Sequence, residues 1–270
     1  YGTGYGTKTF YFTATATTTY LTLISGHGAG NPFGHWDNVF AYKLDNDRSV
    51  NTKGLLPVGT VTKTAVATGA ELVAYSNFST SNYLTQKPHN SDMQTGTGDF
   101  SVSCWFKTTS TVDSYEGLIF YNNPGSINDG FQLMMGPSNS SKGLYFYIYG
   151  ASADVNGNYI TGTNDGNWHC AVATYTSSQI QVYVDGILRD TKAGTSGSIN
   201  NSTAQFTVGR WFGNTSSAYH WRGDLALVRH SASIPSAEQV KKIYDDEKHL
   251  FQENAKCTLH VSSNAVTAVA

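Results

Sequence analysis

The sequence predicts an all-β protein whose main body is a β-sandwich with one short C-terminal helix. Three observations carry this. Tyr, Thr, Ser, Asn and Gly fill positions that Lys and Glu would otherwise take, with only 13% of residues charged and 13% aromatic; β-branched and aromatic side chains suit a pleated surface, and Gly, Asn and Ser suit its turns. Short apolar runs recur with turn signals between them. The stretch Asp165–Gly186 reads as a hairpin bracketed by turns, with Ile180, Val182 and Val184 alternating with Gln181, Tyr183 and Asp185.

Residues 1–45 contain two strand-like runs, Thr9–Thr15 and Thr19–Ile24, then a Gly-rich loop and a last run from His35 to Leu44. An isolated hairpin is marginal in water, so these residues are expected to form the C-terminal part of an upstream β module. The polar residues 46–53 read as a linker. Residues 54–250 carry the main series of strands: Val58–Val66, Glu71–Tyr75, Asn82–Gln86, Phe100–Lys107, Glu116–Tyr121, Gly130–Met135 and Gly143–Tyr149. After the hairpin come Gln205–Gly209 and Gly223–Arg229. A helix is expected over Ser236–Lys248, with Ser236 as its cap, Glu238 in the first turn, and Val240, Ile243 and Tyr244 on one stripe. Residues 251–270 return to alternating apolar and small polar residues and read as the start of a further β module.

A formal net charge of −2 argues against nucleic acid as a partner, because phosphate binding needs clustered Lys and Arg. No run approaches the roughly 20 apolar residues of a membrane-spanning helix, so no membrane insertion is expected. Cys104, Cys170 and Cys257 are too scattered for a disulfide framework or a zinc site, and Cys104 and Cys170 read as buried thiols.

The main body resembles a laminin-G-like domain of the concanavalin A-like lectin/glucanase superfamily. The similarity rests on four pieces in order: Thr97–Phe106, Asn167–Val172, Tyr183–Gly186, and Phe206–Arg210 leading to Trp221–Val228. It implies a two-sheet antiparallel jelly-roll sandwich of the concanavalin A-like kind, used mostly for binding glycans or proteins. Residues 1–45, through Asp37-Asn38-Val39, resemble the end of a carbohydrate-binding-module jelly roll, and Thr62–Tyr75 is similar to segments of bacteriophage tail fibres. Together these imply a non-enzymatic virion component that binds a host-surface polysaccharide or glycoprotein alongside other fibre subunits as a homo-oligomer, trimeric by analogy. The alternatives are a structural spacer of such a fibre, an extracellular bacterial adhesin, or an appendage of a polysaccharide enzyme.

Glucanases of the superfamily carry E-x-D-x-x-E on one strand, and none of the five glutamates lies in that pattern. No enzyme is expected. His169 and Asp185 read as scaffold, since Asp-Gly is foremost a turn dipeptide. No cofactor is expected other than calcium: the pentraxin-like resemblance of Thr109–Leu118 puts Asp113 at a calcium-ligating position, with Asp129 as a substitute for a second acidic cluster missing after Gly209. The glycan-binding candidates are Trp211, Phe212, Asn214, Tyr219 and Trp221, in and beside the loop 213–218, with Tyr115 and Tyr121 in a second group. Flat rings stack on sugars and polar groups bond the hydroxyls. Tyr145, Tyr147 and Tyr149 share one strand face, suited to lining a concave sheet or a contact between chains.

Overall fold

The computed structural model describes residues 54–86, 93, 95–123, 126–137, 142–149, 155–194, 199, 204–211 and 219–253, with the side chains of 123–129 excepted. The expectations for residues 1–45, the linker, Phe212, Asn214 and Cys257 lie outside these. The chain divides into two compact units, Tyr1–Leu56 and Pro57–Ala270.

Among the described residues there are fifteen strands. They are β1 (Leu56–Val58), β2 (Thr62–Ala65), β3 (Val73–Ser76), β4 (Tyr83–Thr85), β5 (Phe100–Lys107), β6 (Glu116–Asn123), β7 (Ser126–Met135) and β8 (Gly143–Tyr149). There follow β9 (Val155–Asn156), β10 (Ile160–Thr161), β11 (His169–Tyr175), β12 (Gln179–Val184), β13 (Ile187–Ala193), β14 (Gln205–Val208) and β15 (Asp224–Ser231). One sheet of eight strands runs β1-β4-β14-β6-β7-β8-β10, with β9 also on β8; the other runs β13-β12-β11-β5-β15-β3-β2. The named pairings are antiparallel, as expected from the sequence.

β5 organises the seven-stranded sheet, lying between β11 and β15 in full register with Phe100–Phe106 of one strand against His169–Tyr175 of the other. Phe100, Val102, Cys104 and Phe106 point into the sandwich and are essentially unexposed. From the facing sheet, Phe131 and Phe146 reach Phe100 at 4.9 Å and 6.3 Å between ring centroids. Leu133, Met135, Leu144, Ile148, Ile180, Val182 and Val208 complete the interior. Burying such side chains stabilises by about 1.5–3 kcal/mol each.

The other face of β5 carries Trp105, which lies between Tyr244 (5.8 Å, 15°) and Phe251 (4.1 Å, 17°). Trp105 Nε1 donates to Glu247 Oε2 at 2.7 Å, and Glu247 pairs with Arg229 at 2.6 Å. The helix α1 (Ala237–Glu247) thereby covers the outer face of the seven-stranded sheet. Its start is as the sequence predicts: Ser236 accepts from Gln239 N, and the Gln239 side chain accepts from Ser236 N, a reciprocal capping box. Cys104 and Cys170 are free and buried. Cys104 faces the interior and Cys170 the cluster under the helix, so they lie on opposite sides of one sheet.

The structure differs from the sequence reading in several places. The expected strand Val58–Val66 is two strands, β1 and β2, because Asn82 Oδ1 accepts from Thr60 N at 3.0 Å and turns the chain between them. The strands β9, β10 and β13 are additional; the first two are only two residues long, and β13 is a mostly exposed edge without apolar alternation. Phe251, expected to open a further module, is instead a buried part of the sandwich, and Glu253 accepts from Thr68 N at 3.0 Å.

At the Asp185-Gly186 turn both residues have positive φ (54° and 76°), and Val184 pairs with Ile187. That is the two-residue hairpin geometry which Asp-Gly favours. Asp185 Oδ1 accepts from Cys170 N at 2.9 Å, while Oδ2 holds His169 Nδ1 at 2.7 Å; His169 Nε2 meets Asp165 Oδ1 at 3.1 Å. His169 thus ties two turns together, as scaffold. Burial alone would lower its pKa, but hydrogen bonds and charge from Asp185 and Asp165 leave it raised. His230 is the opposite case. Its ring lies among Phe100 (5.9 Å), Phe131 (5.9 Å) and Phe206 (6.2 Å), Nε2 is buried without a partner, and burial pushes its pKa down to about 4.

These two histidines have opposite linkage. His169 contributes stability that is complete below pH 6.5 and lost as pH rises through its raised pKa. Protonation of His230 has no effect well above pH 6.5 but destabilises the fold as pH falls toward about 4. In urea titrations, wild type is expected to lose on the order of 2 kcal/mol between pH 7 and 4.5 through His230, and His230→Gln to lose markedly less. His169→Gln is expected to cost about 1 kcal/mol at pH 6 and less at pH 9.

Candidate functional site

The outer face of the eight-stranded sheet is built by period-2 alternation. On β8, Phe146 and Ile148 point inward with no exposure, leaving Tyr145, Tyr147 and Tyr149 on the opposite face. Across the sheet Tyr145 lies opposite Met134, which lies opposite Gly117, and Gln132 lies between Phe120 and Tyr147. Phe120, Met134 and Tyr145 form a buried cluster with Tyr115, Tyr147 and Trp211 packed against it. Tyr145 Oη donates to Met134 Sδ at 2.8 Å.

Two connections bring further rings onto this face. The loop 108–115 between β5 and β6 delivers Tyr115. The segment after β14 is closed at its base, where Trp211 N donates to Tyr219 O at 3.2 Å and Trp221 N to Gly209 O at 2.9 Å. Trp211 and Tyr219 therefore meet edge to face at 4.9 Å, Trp211 stacks over Phe120 at 6.4 Å, and Tyr219 approaches Tyr115 at 5.9 Å. Tyr159 completes the wall, 4.8 Å from Tyr145. Its ring lies on Gly136, where a Cβ would come within 2.2 Å of it; a side chain at that position would displace the ring.

The result is an aromatic basin of Tyr115, Tyr145, Tyr159, Trp211 and Tyr219, with Tyr159 42% exposed. Trp211 Nε1 and Gln132 Nε2 are buried donors without a hydrogen-bond partner. Burial, together with a hydrogen bond to Tyr115, pushes the Tyr159 hydroxyl up to about 12. Burial and the neighbouring tyrosines hold Tyr145 far above the usual phenol range. Both of these hydroxyls stay protonated at any physiological pH.

The sequence-predicted residues divide. Trp211, Tyr219 and Tyr115 come together in the basin. Tyr121 and Trp221 do not: each is 1% exposed, Tyr121 packing on Phe131 at 5.7 Å and Trp221 on Phe106 at 5.9 Å, and both are core residues unable to stack on a sugar. Tyr159, Phe120 and Met134 carry no forewarning in the sequence. Tyr159 stands in a polar stretch without periodicity, and its place depends on Gly136, more than twenty positions away.

Asp113 is exposed on the loop 108–115, and the side chain of Asp129, on β7, lies outside the described residues. Among the described residues no three His, Cys, Asp or Glu side chains group as a metal site. Beside Asp113 the notable charge is Glu116, fully buried, with Lys142 Nζ at 2.6 Å and Arg222 at 3.6 Å. Of the other glutamates, Glu247 holds Trp105 and Arg229, and Glu253 accepts from Thr68 N. No helix of the described residues is long and apolar enough to cross a membrane.

A two-sheet jelly roll with an aromatic outer face defines a lectin-like sandwich of the concanavalin A-like class. The laminin G family model of the concanavalin A-like lectin/glucanases superfamily matches residues 78–241, well over half of the chain, and the protein belongs to that family. Comparison with curated proteins finds no match. Among solved structures, the binding domain of Paraclostridial Mosquitocidal Protein 1 is similar with a TM-score of 0.56 and 14% identity, over 74% of this chain and 49% of that one. The structure of HCR/D-Sa-GBL1/C has a TM-score of 0.52 and 13% identity, over 76% and 51% respectively. Domain 4 of AbnA, a GH43 extracellular arabinanase from Geobacillus stearothermophilus solved with arabinotriose, has a TM-score of 0.48 and 16% identity, over 69% and 82%. At these identities the likeness shows the fold alone, and the chain spans about half the length of the first two structures.

The division between basin and core has a measurable consequence. Trp221→Ala is expected to lower the unfolding free energy by about 3–5 kcal/mol and Tyr159→Ala by less than about 1 kcal/mol, compared by urea denaturation.

Proposed function

We propose that this chain is part of a bacteriophage tail fibre and that its laminin-G-like sandwich binds a host cell-surface polysaccharide or glycoprotein without catalysis. The observation that carries this reading is the basin itself: five aromatic rings on one sheet face, one of them 42% exposed, with a buried and unpartnered Trp211 Nε1 among them. Sugar rings present apolar C–H faces for stacking and hydroxyls for bonding, which is the pairing of apolar walls with a few polar groups that such a site offers. The low charge, 13% of residues, suits a neutral or weakly charged ligand outside the cell, and the fibre assignment rests on the resemblance of Thr62–Tyr75. Oligomerisation, trimeric by analogy with fibres, belongs to the same proposal.

A second reading is that the domain is a spacer whose rings and edges mediate assembly. It draws on Ile187 and Leu188, exposed by 57% and 45% on β13, at the edge of the seven-stranded sheet, since unpaired edges are templates for association.

A bacterial polysaccharide array probed with the full 270-residue chain separates the two. The glycan reading expects binding that Tyr159→Ala and Tyr219→Ala each weaken about tenfold, the equivalent of about 1.4 kcal/mol, with the melting temperature nearly unchanged. Absence of binding to every polysaccharide at high protein concentration would sink it. Concentration-dependent self-association abolished by Leu188→Lys would then favour the spacer.

A further inference from the structure

The Glu116–Lys142 pair does more than neutralise a buried charge. Its side chains are 0% and 5% exposed, and its bonds run almost entirely to the loop 108–115. Lys142 Nζ donates to Glu116 Oε1 at 2.6 Å and to the carbonyl oxygen of Val112 at 2.7 Å. Ser110 Oγ donates to the same Glu116 oxygen at 2.5 Å. The base of the loop is tied separately, by Thr108 Oγ1 to Arg222 O (2.5 Å), Asn164 Nδ2 to Ser110 O (3.2 Å) and Gly166 N to Thr108 O (3.0 Å). Its middle is anchored to the sheet through this ammonium and this carboxylate. The loop ends at Tyr115, which contacts Tyr145 at 6.2 Å and Tyr219 at 5.9 Å and bonds the Tyr159 hydroxyl. The ammonium therefore occupies an oxygen-lined position between a loop carbonyl and a strand carboxylate, a donor set whose chemistry suits a small cation.

We propose that Lys142 is a built-in cation that positions the 108–115 loop, and with it the Tyr115 wall of the basin, so that this rim is organised without a diffusible metal ion. Lys142 and Glu116 are positioning residues. They act through Val112, Ser110 and Tyr115 and are not themselves proposed to touch a ligand. Only the significance of the wall for binding rests on the glycan reading; the positioning role does not.

Backbone amide exchange on the full chain tests this, because Ser110 N and Ser114 N are bonded within the loop. In Lys142→Ala, loop amides are expected to exchange at least about tenfold faster while β5 and β11 amides keep their protection. Millimolar methylammonium chloride should restore the loop, and sodium chloride at the same ionic strength should not, because a diffusible ammonium can fill the vacated position and a lost packing contact would not respond to it. Wild-type loop protection should be the same in calcium and in chelator. Unchanged loop exchange in Lys142→Ala, or a wild-type loop that orders only with calcium, overturns the proposal. Should Lys142→Ala fail to fold, the doubly neutral Glu116→Gln/Lys142→Met leaves no uncompensated buried charge: faster loop exchange there supports the proposal and wild-type exchange overturns it. A wild type that binds no polysaccharide while its loop answers to Lys142 discards the glycan reading and keeps the positioning role.

Discussion

The structure depends on a constraint that β5 states most plainly: a strand between two neighbours in a sheet has two faces, and both must be kept from water if both are apolar. Phe100, Val102, Cys104 and Phe106 settle one face against the opposite sheet. Trp105 settles the other, and it is large enough that a strand alone cannot cover it. The helix and the following residues to Phe251 exist, in this sense, to supply Tyr244, Val240 and Phe251 as its lid. The Trp105–Glu247–Arg229 chain of bonds then sets where the helix sits along the sheet.

The eight-stranded sheet meets the same constraint differently. Among the described residues its outer face is covered by its own rings and loops and by no helix, and those rings do not all find burial. Phe120, Met134 and Tyr145 are covered, while Tyr159 is left partly in solvent. Covering one aromatic layer with another leaves amphipathic edges, and tyrosine tolerates that position because its hydroxyl can face water while its ring packs. The asymmetry between the two outer faces is what separates scaffold from candidate site in this molecule.

Charge contributes by placement, not by amount. The fully buried carboxylate of Glu116, with Lys142 against it and Arg222 at 3.6 Å, holds the middle of a loop by its backbone. Removing one partner of such a pair leaves the other uncompensated in a low dielectric, while the intact pair adds little net stability because desolvation offsets the attraction. His169 works in the same manner at the surface, joining the turns that begin β11 and end β12.

Much of this was legible in the sequence because it is local. Alternation along β8 and β12, the Asp-Gly turn and the Ser236 cap each depend on residues within a few positions of one another, and each stands as read. The burial of both cysteines followed from their places inside apolar strands. Lost were features whose energy comes from distant partners. β9 and β10 are too short to show a period, and β13 is a polar edge whose strand character comes from pairing with β12. Trp221 and Tyr121 carry the same residue types as the basin. Only the packing of Trp221 on Phe106 and of Tyr121 on Phe131 assigns them to the core. The sequence by itself determined the class of fold and its two-faced strands, because hydrophobic period is a one-dimensional property. The tertiary structure alone decided which aromatic rings are left facing solvent, and that a lysine would stand where a cation could, because both depend on what the opposite strand or loop brings within a few ångströms.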